Sequence, residues 1–155
     1  RRLIRFATED IGLADNNALT LAVSVYQACH FLGMPECNIH LTHAVVYLSL
    51  APRSNSVYMA YENAKKDALN MLSEPVPLVI RNASTGLMKE LDYGKGYVYA
   101  HDTKEKIARM ECLPESLKGT RYYIPGEAGE EKKQAERLKE VQRFREEGES
   151  PVDAG

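Results

Sequence analysis

Apolar side chains recur every three or four positions along the first 72 residues, and short polar, Gly or Pro breaks interrupt them. That spacing is typical of helices that bury one face. It predicts helices over residues 3–14, 18–32 and 35–51, and a fourth that follows a cap at Ser54 or Asn55 and ends near residue 72. The short connections between them favour an antiparallel bundle and an all-α fold.

The same spacing predicts which positions are buried. The later half of the third helix is apolar on nearly every side, which is typical of a central helix. We therefore expect its large side chains in the core: Val45, Val46, Leu48 and Leu50. The other helices have one apolar face each, formed by Leu3, Ile4, Ala7 and Ile11 in the first, Leu19, Ala22, Val23, Tyr26 and Cys29 in the second, and Val57, Tyr61, Ala64, Ala68 and Met71 or Leu72 in the fourth. Lys65, Lys66 and Asp67 should point to water.

Residues 73–129 are irregular by comparison. Pro75 and Pro77 oppose a helix and predict an extended connector. The rest of this part predicts a short helix at 84–91, a Gly- and Tyr-rich loop or short strand at 93–102, a helical turn at 114–118 closed by Gly119, and extended chain at 121–126. A terminal helix is expected over 130–147, because its acidic start and basic middle suit the helix dipole.

These elements predict one helical domain over residues 1–147. It would consist of a four-helix part (1–72), an irregular part (73–129) and the terminal helix (130–147). Residues 148–155 should form a disordered tail.

Composition narrows the class of protein. The 155 residues carry 20 Lys and Arg against 22 Asp and Glu, so no overall basic excess draws the chain to nucleic acid. Three widely spaced cysteines argue against a disulfide framework and favour a reducing, cytoplasmic compartment. The longest apolar run, residues 44–51, is far shorter than the ~20 residues that cross a bilayer, so no membrane partner is expected. The chain opens with Arg-Arg and no Met, so we expect it to be part of a longer protein.

One cluster has a composition that zinc would accept: Cys29, His30, Cys37, His40 and His43. Its spacing is unsuitable, because it contains neither a Cys-x-x-Cys nor a His-x-x-x-His pair. Neighbours on a helix, such as Cys29 and His30, also point about 100° apart. We therefore favour a buried cysteine and surface histidines, and predict no metal ligand.

Two other motifs suggest chemistry only weakly. Gly94-Lys95-Gly96 follows no clear strand, and the chain contains no Walker A sequence, so we favour a tight turn with positive φ at glycine over a phosphate loop. His101 and Asp102 could form an acid–base pair, but no nucleophile stands in a known motif beside them. The sequence therefore predicts neither catalytic residues nor a cofactor site.

A stretch rich in Tyr, Lys and Arg is a candidate for binding. Residues 81–121 carry eight Lys or Arg against six Asp or Glu, and aromatic rings among basic side chains can stack on single-stranded nucleic acid. The alternative is that the rings cover the bundle and hydrogen-bond through their hydroxyls. The candidate functional surface comprises Arg81, Asn82, Lys89, Tyr93, Gly94, Lys95, Gly96, Tyr97, His101, Asp102 and Arg121. Within it, Arg81 and Asp102 are candidates for an ion pair.

Four longer strings together carry a family resemblance: TEDIG (8–12), LAPRSN (50–55), RNASTGLMKEL (81–91) and YGKGYVYAHD (93–102). They resemble the C-terminal region of the replication-associated recombination protein A family, also called RarA or MgsA, whose eukaryotic relative is the Werner-helicase-interacting protein. The resemblance extends from Arg1 to about Leu138. Departures from the family pattern occur at Ser84, Gly86, Asp92 and Cys112. Cys37, His40 and His43 have no counterpart in that pattern.

The resemblance implies a parent AAA+ ATPase, similar to clamp-loader subunits, that acts at stalled forks in DNA replication, recombination and repair. Its ATP- and Mg-binding motifs would lie upstream of Arg1, so this part would be non-catalytic and hold no cofactor of its own. It would be the oligomerisation, or collar, domain of a homotetramer, and the match favours a bacterial source. The alternative is a module that binds DNA or a partner protein through residues 81–121.

Overall fold

A computed structural model describes residues 1–71 and 74–147, and these are all-α, with no β-strand among them. The helices are α1 (Arg2–Phe6), α2 (Asn17–Leu32), α3 (Asn38–Leu50), α4 (Ser56–Asn70), α5 (Gly86–Glu90) and α6 (Glu131–Glu146). A π-helical turn at Ala7–Ile11 and a 3-10 turn at Gly12–Ala14 extend α1. Further 3-10 turns lie at Leu78–Ile80, Ala100–Asp102 and Glu115–Leu117. No helix in the described parts is long and apolar enough to cross a membrane.

The chain divides into two compact units. The first comprises Arg1–Ala68 together with Arg121–Leu138, so a late segment returns to the early helices. Among the described residues, the second comprises 69–71, 74–120 and 139–147. The single domain over 1–147 with its three parts stays a prediction.

The core of the first unit is made largely of small side chains. Its buried cluster contains Ala7, Ile11, Ala18, Ala22 and Leu48. Alanines at these positions let α1, α2 and α3 approach closely, so few large side chains are needed to fill the space between them. The predicted apolar face of α1 is confirmed, because Leu3 and Ile4 pack against the same cluster.

The predicted burial of α3 is largely wrong. Of the four large residues expected in the core, only Leu48 is buried, whereas Val45, Val46 and Leu50 are 49%, 54% and 82% exposed. Ala44 and Leu48 stand four residues apart and form the one buried stripe of α3. Tyr47 packs against the buried cluster from its edge, whereas Ile39, Val46 and Leu50 are more than half exposed.

The faces of α2 and α4 also differ from the prediction. On α2 the buried residues are Ala18, Ala22 and Val25, while Leu19, Val23 and Tyr26 are exposed. No residue of α4 is fully buried, and both Val57 and Tyr61 are exposed. Asp67 is partly buried and accepts a 3.0 Å hydrogen bond from the hydroxyl of Tyr122, so it does not simply point to water. The alternative end of the α4 stripe at Leu72 lies outside the described residues.

Helix ends follow the local signals closely. Gly33, with φ +73°, ends α2, and the Asp15 carboxylate accepts a 2.9 Å hydrogen bond from the Asn17 amide at its start. The third helix begins at Asn38 and not at Pro35, because residues 34–37 form a turn in which the Cys37 amide bonds to the Gly33 carbonyl.

The later elements largely match the prediction. The helix predicted at 84–91 corresponds to α5, and Gly119 with φ +77° follows the turn at Glu115–Leu117. Residues 121–126 have no helical structure. The alternative of a strand at 93–102 is wrong, because a turn up to Gly96, an irregular stretch at 97–99 and the 3-10 turn at Ala100–Asp102 form that segment. The predicted tail at 148–155 lies outside the described residues.

Candidate interaction surfaces

A buried carboxylate holds the returning segment of the first unit in place. Glu131, the first residue of α6, has no exposed surface. Its Oε1 atom accepts hydrogen bonds from the hydroxyls of Ser56 and, at 2.8 Å, of Tyr123. Ser54 donates in turn to the Ser56 hydroxyl at 3.1 Å. This cluster joins the start of α4, the extended segment and α6.

The donors around Glu131 decide its ionisation. Burial raises the pKa of the Glu131 carboxyl, but the hydroxyls of Ser54, Ser56 and Tyr123 and the Gly126 backbone outweigh it, so that the pKa is lowered. Burial and the bond to Glu131 raise the pKa of Tyr123 to about 12. The site therefore holds a carboxylate and a protonated phenol at neutral pH.

Two glycines let the returning segment come close to its neighbours. A Cβ atom at Gly126 would lie 2.7 Å from Oε2 of Glu131. At Gly129, which has φ +56°, a Cβ atom would lie 2.1 Å from the Ala14 carbonyl oxygen. The Glu130 amide donates a 2.8 Å hydrogen bond to that carbonyl. Only glycine fits this approach.

Two of the family-like strings meet in the same region. The Ser54 amide donates a 3.0 Å hydrogen bond to the Asp10 carbonyl. A Cβ atom at Gly12, where φ is +54°, would lie 2.7 Å from the Ser54 carbonyl oxygen. The TEDIG and LAPRSN strings therefore meet through their backbones, and the closeness of this contact is a structural reason for glycine at position 12.

The first unit leaves large apolar side chains in water. They include Leu19, Val23 and Tyr26 on α2, and Ile39, Val45, Val46 and Leu50 on α3. A groove of about 520 Å³ also lies against α1 and α3, with Phe6, Val45 and Leu48 among its apolar lining. Arg5 and Glu9, whose charged atoms lie 2.9 Å apart, line the same groove. Large exposed apolar side chains, when they form a contiguous patch, are typical of an interaction surface.

The second unit contains most of the predicted functional surface. The guanidinium of Arg81 lies over the Tyr93 ring at 5.1 Å, donates to its hydroxyl at 3.3 Å, and also donates to the Val76 carbonyl. No ion pair between Arg81 and Asp102 is found in the described part of the chain, so that suggested pairing is wrong. The Gly94 amide bonds at 2.8 Å to the Leu78 carbonyl, which fixes this loop on the connector.

The Gly94-Lys95-Gly96 segment forms the tight turn that the sequence predicts. Gly94 and Gly96 have φ of +71° and +81°, as expected for a tight turn. A Cβ atom at Gly94 would lie 3.2 Å from the Arg81 carbonyl oxygen. Lys95 pairs with Asp92 at 3.0 Å, so part of its charge is neutralised within the loop.

The remaining predicted residues are dispersed. Asn82, Lys89, Tyr97 and Asp102 are exposed, and the ring of the exposed His101 lies 5.1 Å from that of Tyr99. Arg121 belongs to the first unit. No group of three or more His, Cys, Asp and Glu side chains within the described ranges is arranged to hold a metal ion.

The tyrosines of residues 93–123 have two different settings, and the sequence allowed either a structural role through the hydroxyls or exposure for binding. Tyr122 and Tyr123 bond through their hydroxyls to Asp67 and Glu131, which confirms the structural interpretation for this pair. Tyr97 and Tyr99 remain exposed on the second unit. Sequence reasoning did not select Glu131, Gly126 or Gly129, and only the two glycines close to Glu131 could have drawn attention to this site.

The chain is similar to proteins of one family. A family model described as MgsA AAA+ ATPase C terminal matches residues 1–142. Replication-associated recombination protein A of Coxiella burnetii is 44% identical over 155 residues, covering 99% of this chain and 35% of that protein. The protein of the same name from Escherichia coli K12 is 40% identical over 139 residues, covering 89% and 31%. ATPase WRNIP1 of Dictyostelium discoideum is 42% identical over 125 residues, covering 79% and 14%. The chain thus spans about a third or less of the length of these relatives.

Proposed function

Because the chain belongs to the family described as MgsA AAA+ ATPase C terminal, we propose that it is the non-catalytic assembly domain of an AAA+ ATPase. In this proposal the parent protein binds ATP and Mg through residues outside this chain and acts in DNA replication, recombination and repair in a bacterial cytoplasm. The chain joins subunits into a homotetramer, in the manner of a clamp-loader collar. The names of relatives, an ATPase and replication-associated recombination proteins, support this choice.

The observation that carries the proposal is the apolar surface of α2 and α3. Side chains such as Tyr26, Val46 and Leu50 are about half or more exposed, although each would contribute about 1.5–3 kcal/mol if fully buried. A monomer leaves half or more of each of these side chains in water. Copies that pack these faces against one another in closed symmetry remove them from water.

Light scattering on size-exclusion eluate tests the assembly. The chain has a mass of 17.4 kDa, and the proposal expects a species about four times heavier at micromolar concentration. A strictly monomeric chain at tens of micromolar would overturn self-assembly of this domain. ATP hydrolysis by the isolated chain would overturn its non-catalytic role.

A second candidate function is binding of DNA or a partner protein through residues 81–121. The exposed Tyr97 and Tyr99 rings and the exposed Lys89 lie on the unit that holds most of this segment, and they favour stacking and phosphate contact. A labelled single strand should bind at about 50 mM salt and dissociate as salt rises. Lys89→Glu should weaken binding, whereas Lys132→Glu, an exposed change on α6, should not. Equal weakening by both variants would contradict a specific surface.

A further inference from the structure

The hairpin that α2 and α3 form in the first unit is almost free of charge. From Asn16 to Pro52 the only Asp, Glu, Lys or Arg is Glu36, which lies in the turn between the two helices, although charged residues make up 27% of the whole chain. An exposed helix face ordinarily carries charged as well as polar side chains. The histidines are therefore the only groups of this stretch that can become positively charged: His30, His40 and His43.

Each helix of the hairpin presents an exposed seam, and the two seams have the same spacing. On α2 the positions i, i+4, i+7 and i+11 are four exposed residues: Leu19, Val23, Tyr26 and His30. On α3 the same spacing gives four further exposed residues: Ile39, His43, Val46 and Leu50. Seams with this spacing pack against a neighbouring helix in coiled coils. Each seam contains one histidine among its apolar residues.

A second copy of the chain is the occupant that these seams fit. An uncharged face offers no pairing group to nucleic acid or to a charged partner, whereas the same face of another copy is equally apolar and uncharged. Ten residues of α2, nine of α3 and three of the turn between them are exposed. A standard interface uses about 20–30 residues from each partner, so the hairpin is large enough to form one.

We propose that His30 and His43 make the assembly of this domain sensitive to pH, so that copies associate while both imidazoles are neutral and separate once they are protonated. The inference rests on the proposed function, because it assigns regulation to the same surface. A neighbouring seam can cover a neutral imidazole, but a covered imidazolium needs a partner of opposite charge. Histidine ordinarily changes its charge between about pH 8 and pH 5, so assembly should weaken as the pH falls through this range.

The hairpin itself supplies no carboxylate that pairs with a protonated seam. His30 lies on the last turn of α2, where its ring meets the Phe31 ring edge to face at 5.9 Å. Glu36 forms no ion pair with either seam histidine in the described structure. The other titratable side chains of the two helices are not anions at neutral pH: Tyr26, Cys29, His40 and Tyr47.

The carboxylates that neighbouring elements bring to the hairpin are engaged elsewhere. Asp15 accepts a 2.8 Å hydrogen bond from the Tyr47 hydroxyl, and Glu130 accepts one at 2.7 Å from the side-chain amide of Asn16. The charged residues of α1 and its extension line the groove beside Val45 and Leu48: Arg2, Arg5, Glu9 and Asp10. At 100° per residue, Val45 and Leu48 lie on a different side of α3 from His43. A protonated seam therefore remains without a counter-charge.

Light scattering on the whole chain at about pH 8 and about pH 5.5, at equal ionic strength and over a range of concentrations, tests the proposal. The dissociation constant of the assembly should be at least ~10-fold higher at the lower pH. The circular dichroism spectrum should be the same at both, because contacts between copies are lost and the helices remain.

Variants assign the effect to the two seams. The double variant His30→Gln, His43→Gln keeps uncharged side chains in both seams, so it should assemble equally at the two pH values. His101→Gln is the matched control, because it removes an exposed histidine of the second unit and should leave the pH dependence intact.

The outcomes separate this inference from the assembly on which it rests. An unmodified chain with the same dissociation constant at both pH values, or a double variant that still dissociates at the lower pH, would overturn the role of the histidines and leave the proposed assembly standing. A chain that is monomeric at tens of micromolar even at about pH 8 would overturn both.

Discussion

The hydroxyl of Tyr123 donates a 2.8 Å hydrogen bond to Oε1 of Glu131, a carboxylate that has no contact with solvent. The same oxygen accepts from Ser56 at the start of α4. The three side chains come from an extended segment and from two helices that are far apart in sequence. Their cluster is what closes the returning segment onto the first unit.

Replacing Glu131 by Gln should destabilise the chain by about 1–3 kcal/mol, because two buried hydroxyl donors lose a charged acceptor. Urea denaturation followed by circular dichroism measures the shift in midpoint. Glu136→Gln removes an exposed carboxylate from the same helix and is the matched control. Equal denaturation midpoints for the two variants would show that the buried carboxylate contributes no more to stability than an exposed one.

Stability should fall at both ends of the pH range. The folded-state pKa of Glu131 is lowered, so its contribution is present above the ordinary value of 4.5 and disappears as the pH falls through the folded pKa. The pKa of Tyr123 is raised from 10.0 to about 12, so its contribution is present below pH 10 and disappears as the pH rises toward 12. Denaturation midpoints across pH measure both effects. Tyr123→Phe should flatten the alkaline decline, and an unchanged decline would contradict this assignment.

Gly129→Ala should destabilise the chain strongly. The residue has φ +56°, and its new Cβ atom would lie 2.1 Å from the Ala14 carbonyl oxygen. The left-handed conformation alone costs about 1–2 kcal/mol for a residue with a side chain, and the contact adds to this. Gly86→Ala is the matched control, because nothing lies within 4 Å of a Cβ atom there and alanine favours a helix. Thermal denaturation should separate the two, and an equal melting temperature would show that the close approach is not needed.

Leu50→Glu should reduce assembly while leaving the fold intact. The side chain is 82% exposed, so the substitution removes little burial within one chain but places a charge on the proposed contact face. Light scattering should show a loss of mass at equal concentration, with an unchanged circular dichroism spectrum. Lys66→Glu introduces glutamate at an exposed position of α4 and is the control. This variant should form an assembly of the same mass as the unmodified chain. A Leu50→Glu chain with the parent mass would exclude this part of α3 from the interface.

The local part of the fold was predictable because its causes lie within a few residues. Gly33 ends α2 and Gly119 follows a helical turn, as the sequence indicates, since a glycine with positive φ stops a helix without help from distant residues. The Gly94-Lys95-Gly96 turn was predictable for the same reason. The prediction that α3 begins at Pro35 was wrong, because residues 34–37 form a turn that depends on the hydrogen bond from the Cys37 amide to the Gly33 carbonyl.

The amino-acid sequence by itself determined the all-α class, most helix ends and the family resemblance, which follow from periodicity, glycine and proline placement, and specific strings. Only the tertiary structure decided which apolar positions are buried. Val46 and Leu48 are both large apolar residues, but Leu48 is 1% exposed and packs in the buried cluster with Ile11 and Ala22, whereas Val46 is 54% exposed. The burial of Glu131 was likewise a tertiary outcome. A charged residue becomes a core residue only when distant donors, here Ser56 and Tyr123, converge on it and replace water.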